Sequence, residues 1–258
     1  MYKKSIHYCW FGGNPKSDLI KKCQESWKRY CPDYEIIEWN ESNFDINCCD
    51  YVKEAYAAKK WAFVSDYCRF YVLYHHGGIY LDTDVELIKP LDDLPDTFVG
   101  FENQSTCNSG LIRGADKGDE ICRRMLESYN CDRFLLEDGR YNTKTVCIRE
   151  TELLKEYGLV LNNKMQQIAG IRIYPSEYFS PKDYLTEELK ITENTISIHH
   201  YDASWYTDED KLAAQLRAKY RKLMPAKLAL RVGKFAAVAK MRGLKSAAKE
   251  TLYFLQKS

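Results

Sequence analysis

The stretch Trp61–Pro90, WAFVSDYCRFYVLYHHGGIYLDTDVELIKP, decides the fold of this chain. Apolar and aromatic side chains recur at spacings of three and four in its first half, as on one face of an α-helix. Those residues are Trp61, Val64, Cys68, Tyr71, Val72 and His75. Gly77-Gly78 should end the helix, because glycine adopts the left-handed conformation that a C-terminal cap needs. Ile79-Tyr80-Leu81 then predicts a short strand that runs directly into Asp82-Thr83-Asp84.

Asp82 and Asp84 are carboxylates two residues apart at the end of this predicted strand. From a short turn both can reach one cation, and their oxygen atoms suit Mg²⁺ or Mn²⁺ held together with substrate phosphates. The alternative is a plain solvated acidic turn, because Asp-x-Asp by itself is a common pattern.

Asp66 and Arg69 lie three residues apart on the predicted helix and share a face that is not the apolar stripe. A charge pair there could hold a polar ligand over the metal. The alternative is a local ion pair on an exposed helix, which contributes well under ~1 kcal/mol. The ordered combination of this pair, the two glycines and the two acids favours a metal–phosphate site.

This order of motifs resembles glycosyltransferase family 32, the Asp-x-Asp-containing sugar transferases with the GT-A fold. The matching segments are Ile6–Gly12, Ser65–Arg69, Gly77–Asp84, Asn108–Gly110 and His199–Trp205. They follow the family's order from residue 5 to about residue 205, and the chain most resembles bacterial capsular polysaccharide and lipopolysaccharide enzymes. The resemblance implies an α/β fold with a Rossmann-type mixed sheet flanked by helices.

The same resemblance implies roles for residues outside the central stretch. The first-strand segment lines the nucleotide pocket in the family, so His7 and Trp10 are expected to contact the nucleoside. Spacing alone would equally allow Trp10 to be a core residue. Asn108 and Trp205 are expected at the donor as well, although without the family Asn108 would be interpreted as part of a plain turn.

His199 and His200 precede the last matching segment, and strand alternation sends their side chains to opposite faces. A lone histidine is more often a core or surface residue than a ligand. Because the carboxylate pair lacks a third ligand, the resemblance suggests that one of them supplies it. We favour His200, because the His-aromatic step resembles the metal-binding turn of related enzymes.

The start of the chain predicts a βαβ unit and therefore a parallel sheet. Ser5–Phe11 and Tyr34–Trp39 have strand patterns, and Ser17 can cap a helix over Asp18–Tyr30. Further strands are predicted at Thr97–Glu102, Ser109–Arg113, Ile171–Tyr174 and Thr195–His200.

Composition indicates a globular protein with reduced thiols. The chain has 258 residues, of which 45% are hydrophobic and 29% charged. Ten cysteines lack a Cys-x-x-Cys pair, and the first residues do not resemble a signal peptide. With no run of about 18 apolar residues, the expected location is the cytoplasm.

The C-terminal part differs in charge from the rest. Residues 211–258 hold 13 Lys and Arg and one acid, whereas residues 1–210 hold 25 basic and 36 acidic residues. We therefore predict a catalytic domain at 1–207 and a basic amphipathic helical tail at 208–258. Such helices bind anionic membranes; packing on the acidic body is the alternative. No nucleic acid is expected, because no recognised binding motif accompanies the basic residues.

The resulting hypothesis is a divalent-metal-dependent, retaining glycosyltransferase. Asp82, Asp84 and His200 would hold Mn²⁺ or Mg²⁺, while Asp66 and Arg69 would bind the donor, for which a UDP-sugar is expected. The acceptor would be a saccharide or lipid-linked saccharide of bacterial surface polysaccharide synthesis, at the inner face of the cytoplasmic membrane. One alternative is a haloacid-dehalogenase-like phosphatase, because Ile79–Val85 also resembles its first motif. The other is a non-catalytic sugar- or polyanion-binding protein.

Overall fold

The computed structural model of the protein describes residues 4–184, 186–202 and 208–255. The chain divides into two compact units. Met1–Lys182 and Leu189–Asp202 form the first unit, and Asp183–Glu188 and Ala203–Ser258 form the second. In the described ranges, no helix combines the length and the apolar composition needed to cross a membrane.

The first unit is an α/β structure. Its strands, in the described part of the chain, are β1 (Ser5–Cys9), β2 (Glu35–Trp39), β3 (Gly78–Tyr80), β4 (Val85–Leu87), β5 (Phe98–Gly100), β6 (Arg113–Ala115), β7 (Gln166–Ile168), β8 (Ile171–Tyr174) and β9 (Ser197–His199). Its helices are α1 (Asp18–Tyr30), α2 (Asp50–Ala57), α3 (Trp61–His76), α4 (Glu120–Asn130), α5 (Val146–Glu156) and α6 (Ser176–Phe179).

Seven strands form a mixed sheet in the order β2-β1-β3-β6-β5-β8-β7. β1 pairs in parallel with β2 and β3, β5 pairs in parallel with β8, and β6 runs antiparallel between β3 and β5. Strands β1, β2, β3, β5 and β8 therefore point the same way, and their carboxyl ends meet at one edge of the sheet. Apolar clusters cover both faces. The predicted α/β fold class, a mixed sheet flanked by helices, is confirmed.

A second, two-stranded sheet is formed by antiparallel β4 and β9. Helix α1 supports it from one side: Trp27 is fully buried, and its indole N–H donates to the carbonyl oxygen of Val85 at 2.7 Å. As predicted, α1 begins with a cap, since the Ser17 hydroxyl accepts from the backbone N–H of Ile20. The small sheet is thus fixed to the first βα unit.

Helix α3 and the two glycines after it form as predicted. Gly77 has a φ of 70°, and its N–H donates to the carbonyl oxygen of Leu73 at 2.8 Å. A Cβ atom on Gly78 would lie 2.4 Å from the hydroxyl oxygen of Ser5, so the chain can turn into β3 only with a residue that lacks a side chain. The buried residues of α3 include Asp66 and Arg69, so the alternative of an exposed surface ion pair is wrong.

The prediction of a strand over Ser109–Arg113 is wrong, because β6 starts only at Arg113. The residues before it form a turn in which the Asn108 side-chain oxygen accepts from the backbone N–H of Gly110 at 2.7 Å. A short polar side chain that bonds to backbone two residues later favours a turn over an extended chain. The strand predicted over Thr97–Glu102 is limited to Phe98–Gly100, and the one over Thr195–His200 to Ser197–His199.

The second unit contains α7 (Asp208–Tyr220), α8 (Ala226–Arg242) and α9 (Leu244–Leu255). Helices α7 and α8 approach closely, since a Cβ atom on Gly233 would lie 2.9 Å from the backbone nitrogen of Arg217. Glu209 on α7 joins them further: its carboxylate lies 2.9 Å from the Lys234 ammonium and 2.6 Å from the Arg242 guanidinium. Several large apolar side chains of this unit are exposed, namely Leu223, Leu228, Leu230, Phe235, Met241 and Leu244.

Arg113 and Glu150 are both fully buried in the first unit. The Arg113 guanidinium donates to the carbonyl oxygens of Phe98 and Gly114, at 3.0 and 2.6 Å. Its Nε lies 3.3 Å from a Glu150 carboxylate oxygen without an aligned hydrogen bond, and Nη2 lies 3.4 Å from Asp119. Removing one partner of such a pair leaves an uncompensated buried charge.

Arg113→Met should therefore lower the free energy of unfolding by about 3 kcal/mol, because the Glu150 carboxylate would remain buried without its cation. Urea denaturation would measure this change. Arg172→Met, which removes an exposed arginine from the same sheet, should change stability by less than about 0.5 kcal/mol. Equal effects of the two substitutions would contradict the assignment of Arg113 as a structural cation.

Candidate active site

The site starts at the carboxyl end of β3, where side chains of alternate residues share a face. Tyr80 and Asp82 are two residues apart, and the Tyr80 hydroxyl donates to Asp82 Oδ1 at 3.0 Å. The same oxygen lies 3.1 Å from the Arg69 guanidinium, which also stacks over the Tyr80 ring at 4.9 Å from its centroid. Tyr80 was missed by the sequence analysis, although its spacing from Asp82 was a usable signal.

Arg69 joins two carboxylates. Its Nη2 lies 3.0 Å from Asp66 Oδ1 and 3.1 Å from Asp82 Oδ1, and the Arg69 side chain is almost fully buried. Burial raises the pKa of Asp66 to about 6 even though Arg69 opposes the shift. The backbone N–H of Val146, at the start of α5, also acts to lower the pKa of Asp66. The structure therefore brings together three of the predicted site residues.

Arg69 keeps hydrogen-bonding capacity that the protein does not use. Among the described residues, neither Nε nor Nη1 of Arg69 finds an acceptor, although both atoms are buried. Buried donors are rarely left unpaired in native structures. A ligand with oxygen atoms would satisfy them.

Asp84 lies beside the small β4–β9 sheet. Its Oδ1 is 3.2 Å from His199 Nε2, and its Oδ2 accepts from the backbone N–H of Asp202 at 2.8 Å. Burial alone would raise the pKa of Asp84, but the charge and hydrogen bond of His199 outweigh it and lower that pKa to about 2. The carboxylate of Asp84 is thus held ionised.

The structure places His199, not the favoured His200, beside Asp84. Val85 pairs with His199 across the small sheet, and alternation sends the next side chain to the other face. His200 Nε2 therefore lies 2.8 Å from Glu86, which also receives the Lys22 ammonium at 2.8 Å. His200 is corrected to a residue of this outer ion-pair group.

His7 is also corrected, because its ring is enclosed by the protein instead of facing a nucleoside. Its Nδ1 accepts from the Trp39 indole N–H at 3.1 Å, which leaves Nε2 as the donor to the carbonyl oxygen of Gly77 at 2.9 Å. The side chain is buried on β1. His7 therefore fixes the end of α3 against the first strand.

The other predicted donor residues have different surroundings. Trp10 follows β1 and is half-buried; its indole N–H donates to the carbonyl oxygen of Asn14 at 2.8 Å, and its ring packs on an apolar cluster. Asn108 is buried and donates through Nδ2 to Glu102 at 3.0 Å. Trp205 lies outside the described residues.

The turn Asn108–Gly110 completes the surroundings of Asp82. The backbone N–H of Asp82 donates to the carbonyl oxygen of Gly110 at 3.0 Å. A Cβ atom on Gly110 would lie 2.1 Å from Asp82 Oδ2, so any other residue would displace the carboxylate. Gly110 was included in the matching segments, but its close approach to Asp82 could not be inferred from the sequence.

Asp82 and Asp84 fit a hard divalent cation by the chemistry of their oxygen atoms. Burial raises the pKa of Asp82, and the nearby Asp84 carboxylate adds to this shift against the effect of Arg69. A cation would relieve that repulsion. Within the described ranges, no three His, Cys, Asp or Glu side chains are grouped to hold a metal. Two carboxylates together with oxygen atoms of a bound ligand are a donor set that suits such a cation.

Comparison with known proteins shows which family the region around the site resembles. Residues 17–99 match the family described as "Glycosyltransferase sugar-binding region containing DXD motif". The matched region includes α1, α3, β3 and the acids Asp82 and Asp84. The phosphatase and the non-catalytic binding protein, which were the alternatives from sequence, are not supported by this match.

One curated relative is Subversion of eukaryotic traffic protein A of Legionella pneumophila subsp. pneumophila, 23% identical over 184 residues. The aligned region is 58% of this chain, which spans only 28% of that relative. Among solved structures, PaToxG Glycosyltransferase has a TM-score of 0.46 at 19% identity, covering 60% of this chain and 68% of that one.

A second solved structure is a glycosyltransferase involved in the glycosylation of the major capsid of PBCV-1. Its TM-score is 0.42 at 13% identity, with 77% of this chain and 94% of that chain covered. The predicted resemblance to the Asp-x-Asp sugar transferases is confirmed by the match over residues 17–99, which have the sequence of their sugar-binding region.

Proposed function

We propose that the enzyme transfers a sugar from a nucleotide-sugar donor, a UDP-sugar, to a saccharide or lipid-linked saccharide acceptor, with Mn²⁺ or Mg²⁺ and with retention of anomeric configuration. The observation that carries the proposal is the buried Arg69, which joins Asp66 to Asp82 and still has two unsatisfied N–H groups. The retaining outcome rests on the family resemblance.

Different residues of the chain bind different parts of the nucleotide-sugar donor. Arg69 offers its free N–H groups to oxygen atoms of the donor sugar or its phosphates, and the planar guanidinium suits such oxygens. Asp66 fixes the position of the Arg69 guanidinium and accepts hydrogen bonds from hydroxyl groups of the donor sugar. Trp10 is the side chain proposed to stack on the nucleobase, at the carboxyl end of β1, and Trp205 is proposed as a further donor contact.

Asp82 and Asp84 are the proposed ligands of the divalent cation, and His199 replaces His200 as the histidine that supports them. A cation bound there supplies Lewis-acid stabilisation of the leaving nucleoside diphosphate. Tyr80 and Arg69 orient Asp82, while His199 and the backbone of Asp202 orient Asp84. Both carboxylates are thus oriented before ligand binding, which reduces the reorganisation needed at the moment of reaction.

We also propose that the second unit holds the enzyme at the inner face of a bacterial cytoplasmic membrane, where lipid-linked acceptors of surface polysaccharides are found. Residues 211–258 have 13 basic residues and one acid. Each basic residue near an anionic surface contributes about 1 kcal/mol, and exposed leucines add apolar burial. Leu223 and Leu244 are 77% and 70% exposed, which supports this role.

The first prediction concerns the metal. Nucleotide release from UDP-sugars should require Mn²⁺ or Mg²⁺, and Asp84→Asn should abolish it while leaving the circular dichroism spectrum unchanged. Asp93→Asn is the matched control, because Asp93 is exposed and the substitution removes the same negative charge. Undiminished turnover in EDTA would contradict the proposed role of the cation.

The second prediction concerns Arg69. Arg69→Lys keeps the charge but loses the planar guanidinium that joins Asp66 to Asp82, so turnover should fall at least about 100-fold. Steady-state kinetics and thermal unfolding would be measured together, with Arg123→Lys on the exposed side of α4 as control. If Arg69→Lys retained normal transfer but lost several degrees of melting temperature, Arg69 would be purely structural.

The third prediction concerns the membrane. The wild-type protein should sediment with phosphatidylglycerol vesicles at low salt and be released as salt rises, because attraction is screened within about 10 Å at 0.1 M. Replacing both Leu223 and Leu244 by Glu should weaken sedimentation. The control replaces Leu135 and Val160, exposed apolar residues of the first unit, by Glu. It makes the same change in charge and should leave sedimentation unchanged. Wild-type protein that stays in the supernatant at low salt would rule out this membrane role.

A further inference from the structure

We propose that Glu102 is a catalytic carboxylate that binds the attacking hydroxyl group of the acceptor and takes its proton. This assignment rests on the proposed sugar transfer, and it adds a residue that the sequence motifs do not contain. Where no saccharide is bound, a water molecule takes the place of the acceptor hydroxyl, and the same residue serves donor hydrolysis.

The position of Glu102 in the sheet is the first argument. Glu102 follows the last residue of β5, Gly100, by two residues, just as Asp82 follows the last residue of β3, Tyr80. Strands β3 and β5 point the same way on either side of the antiparallel β6. Ligands of α/β sheets bind outside the carboxyl ends of the strands, so both carboxylates stand at the ligand-binding edge.

The turn between these two strand ends connects Glu102 to the site. Asn108 donates from Nδ2 to Glu102 Oε1 at 3.0 Å, and its backbone N–H donates to the carbonyl oxygen of Gly100 at 3.1 Å. On the other side of the turn, Gly110 accepts from the backbone N–H of Asp82. Glu102 is therefore held at a fixed place relative to the metal-binding acid.

Among the residues that the structure describes, one oxygen of Glu102 has only a long contact and is therefore available to a ligand. Oε1 is occupied by Asn108, whereas the contact of Oε2 with the Thr106 hydroxyl is 3.5 Å long. The side chain is half-buried, so solvent and substrate can reach it. A carboxylate with one oxygen anchored and the other accessible is arranged to accept a hydrogen bond from a hydroxyl group.

The charge of Glu102 also acts on two residues that follow the small β4–β9 sheet or end it. Its charge contributes to the raised pKa values of His199 and Tyr201, which lie in edge-to-face contact at 4.2 Å between ring centroids. In the part of the chain that the structure describes, no group of three acids or histidines is arranged for a metal. Glu102 is a carboxylate outside the proposed cation-binding pair of Asp82 and Asp84.

The reaction balances with this assignment. The bond between sugar C1 and the phosphate oxygen breaks, and its electron pair leaves with the nucleoside diphosphate. With the retention of configuration proposed above, the acceptor oxygen forms its bond to C1 on the face that the diphosphate leaves, and the proton of the acceptor hydroxyl passes to Glu102 Oε2 and then to solvent. No oxidant, reductant or further reactant is needed.

The competing explanation is that Glu102 acts through Asn108 and only positions the donor. The two roles differ in kinetics, because a residue that touches only the acceptor oxygen changes kcat, whereas displaced donor contacts also change KM. Donor hydrolysis separates them without knowledge of the natural acceptor, since water is the acceptor.

The experiment measures UDP release from UDP-glucose, UDP-galactose and UDP-N-acetylglucosamine by the full-length protein with Mn²⁺. Glu102→Gln should lower kcat for the hydrolysed donor by at least about tenfold and leave its KM within about twofold. Glu102→Asp, which keeps a carboxylate, should recover part of kcat. Glu137→Gln removes the same charge from an exposed loop position and should match the wild type. Asn108→Ala should raise KM as well.

An unchanged kcat in Glu102→Gln would overturn the assignment, and so would a rise in KM proportional to the loss of activity. Glu102 would also be a structural residue if the melting temperature of Glu102→Gln fell enough to account for the lost activity and Glu102→Asp recovered none of it. If the wild type releases no UDP from any of the three donors, the proposed donor class fails first and the role of Glu102 fails with it.

Discussion

The site depends on one buried cation, the guanidinium of Arg69, which lies between the carboxylates of Asp66 and Asp82. A buried pair is stable only when its charges are mutually compensated and hydrogen-bonded. One carboxylate belongs to α3 and the other follows β3, so the contact fixes the helix to the strand end. The Gly77-Gly78 turn makes this possible, because it lets the chain leave α3 and enter β3 without a side chain in the way.

The remaining contacts around the site extend this arrangement outward. Tyr80 and the Gly110 turn fix Asp82, and the small β4–β9 sheet brings His199 to Asp84. The orienting groups are supplied by regular strands and by backbone atoms, whose positions vary little. Such rigidity suits the proposed transfer, in which charge develops on a leaving diphosphate, because preorganised groups need no rearrangement in the transition state.

The sequence was informative where local rules determine structure. The three- and four-residue spacing in α3, the capping Ser17 and the glycine turn are encoded within a few residues of one another, and all three formed as predicted. Motif order was sufficient for the glycosyltransferase resemblance. Asp82 and Asp84 were recognisable because two acids directly follow an apolar tripeptide.

Contacts between distant segments could not be predicted in the same way. Strand alternation required one histidine of the pair to face each side, but the register of β4 with β9 decided that it was His199 that faced Asp84. His7 had the position expected of a ligand-binding residue, yet Trp39 and Gly77 surround it. The strand predicted at Ser109–Arg113 failed because the Asn108 side chain stabilises a turn there.

The β4–β9 pairing also has a consequence for the timing of assembly. Asp84 and Asp202, which hydrogen-bond directly, are 118 residues apart in the chain. Contacts of such long sequence separation form late, because a large loop must be ordered first. During synthesis, the strand that orients Asp84 emerges long after the acid itself, and an incomplete chain lacks the partner that keeps this carboxylate in place. The topology thus delays assembly of the proposed metal site until nearly all of the first unit has been made.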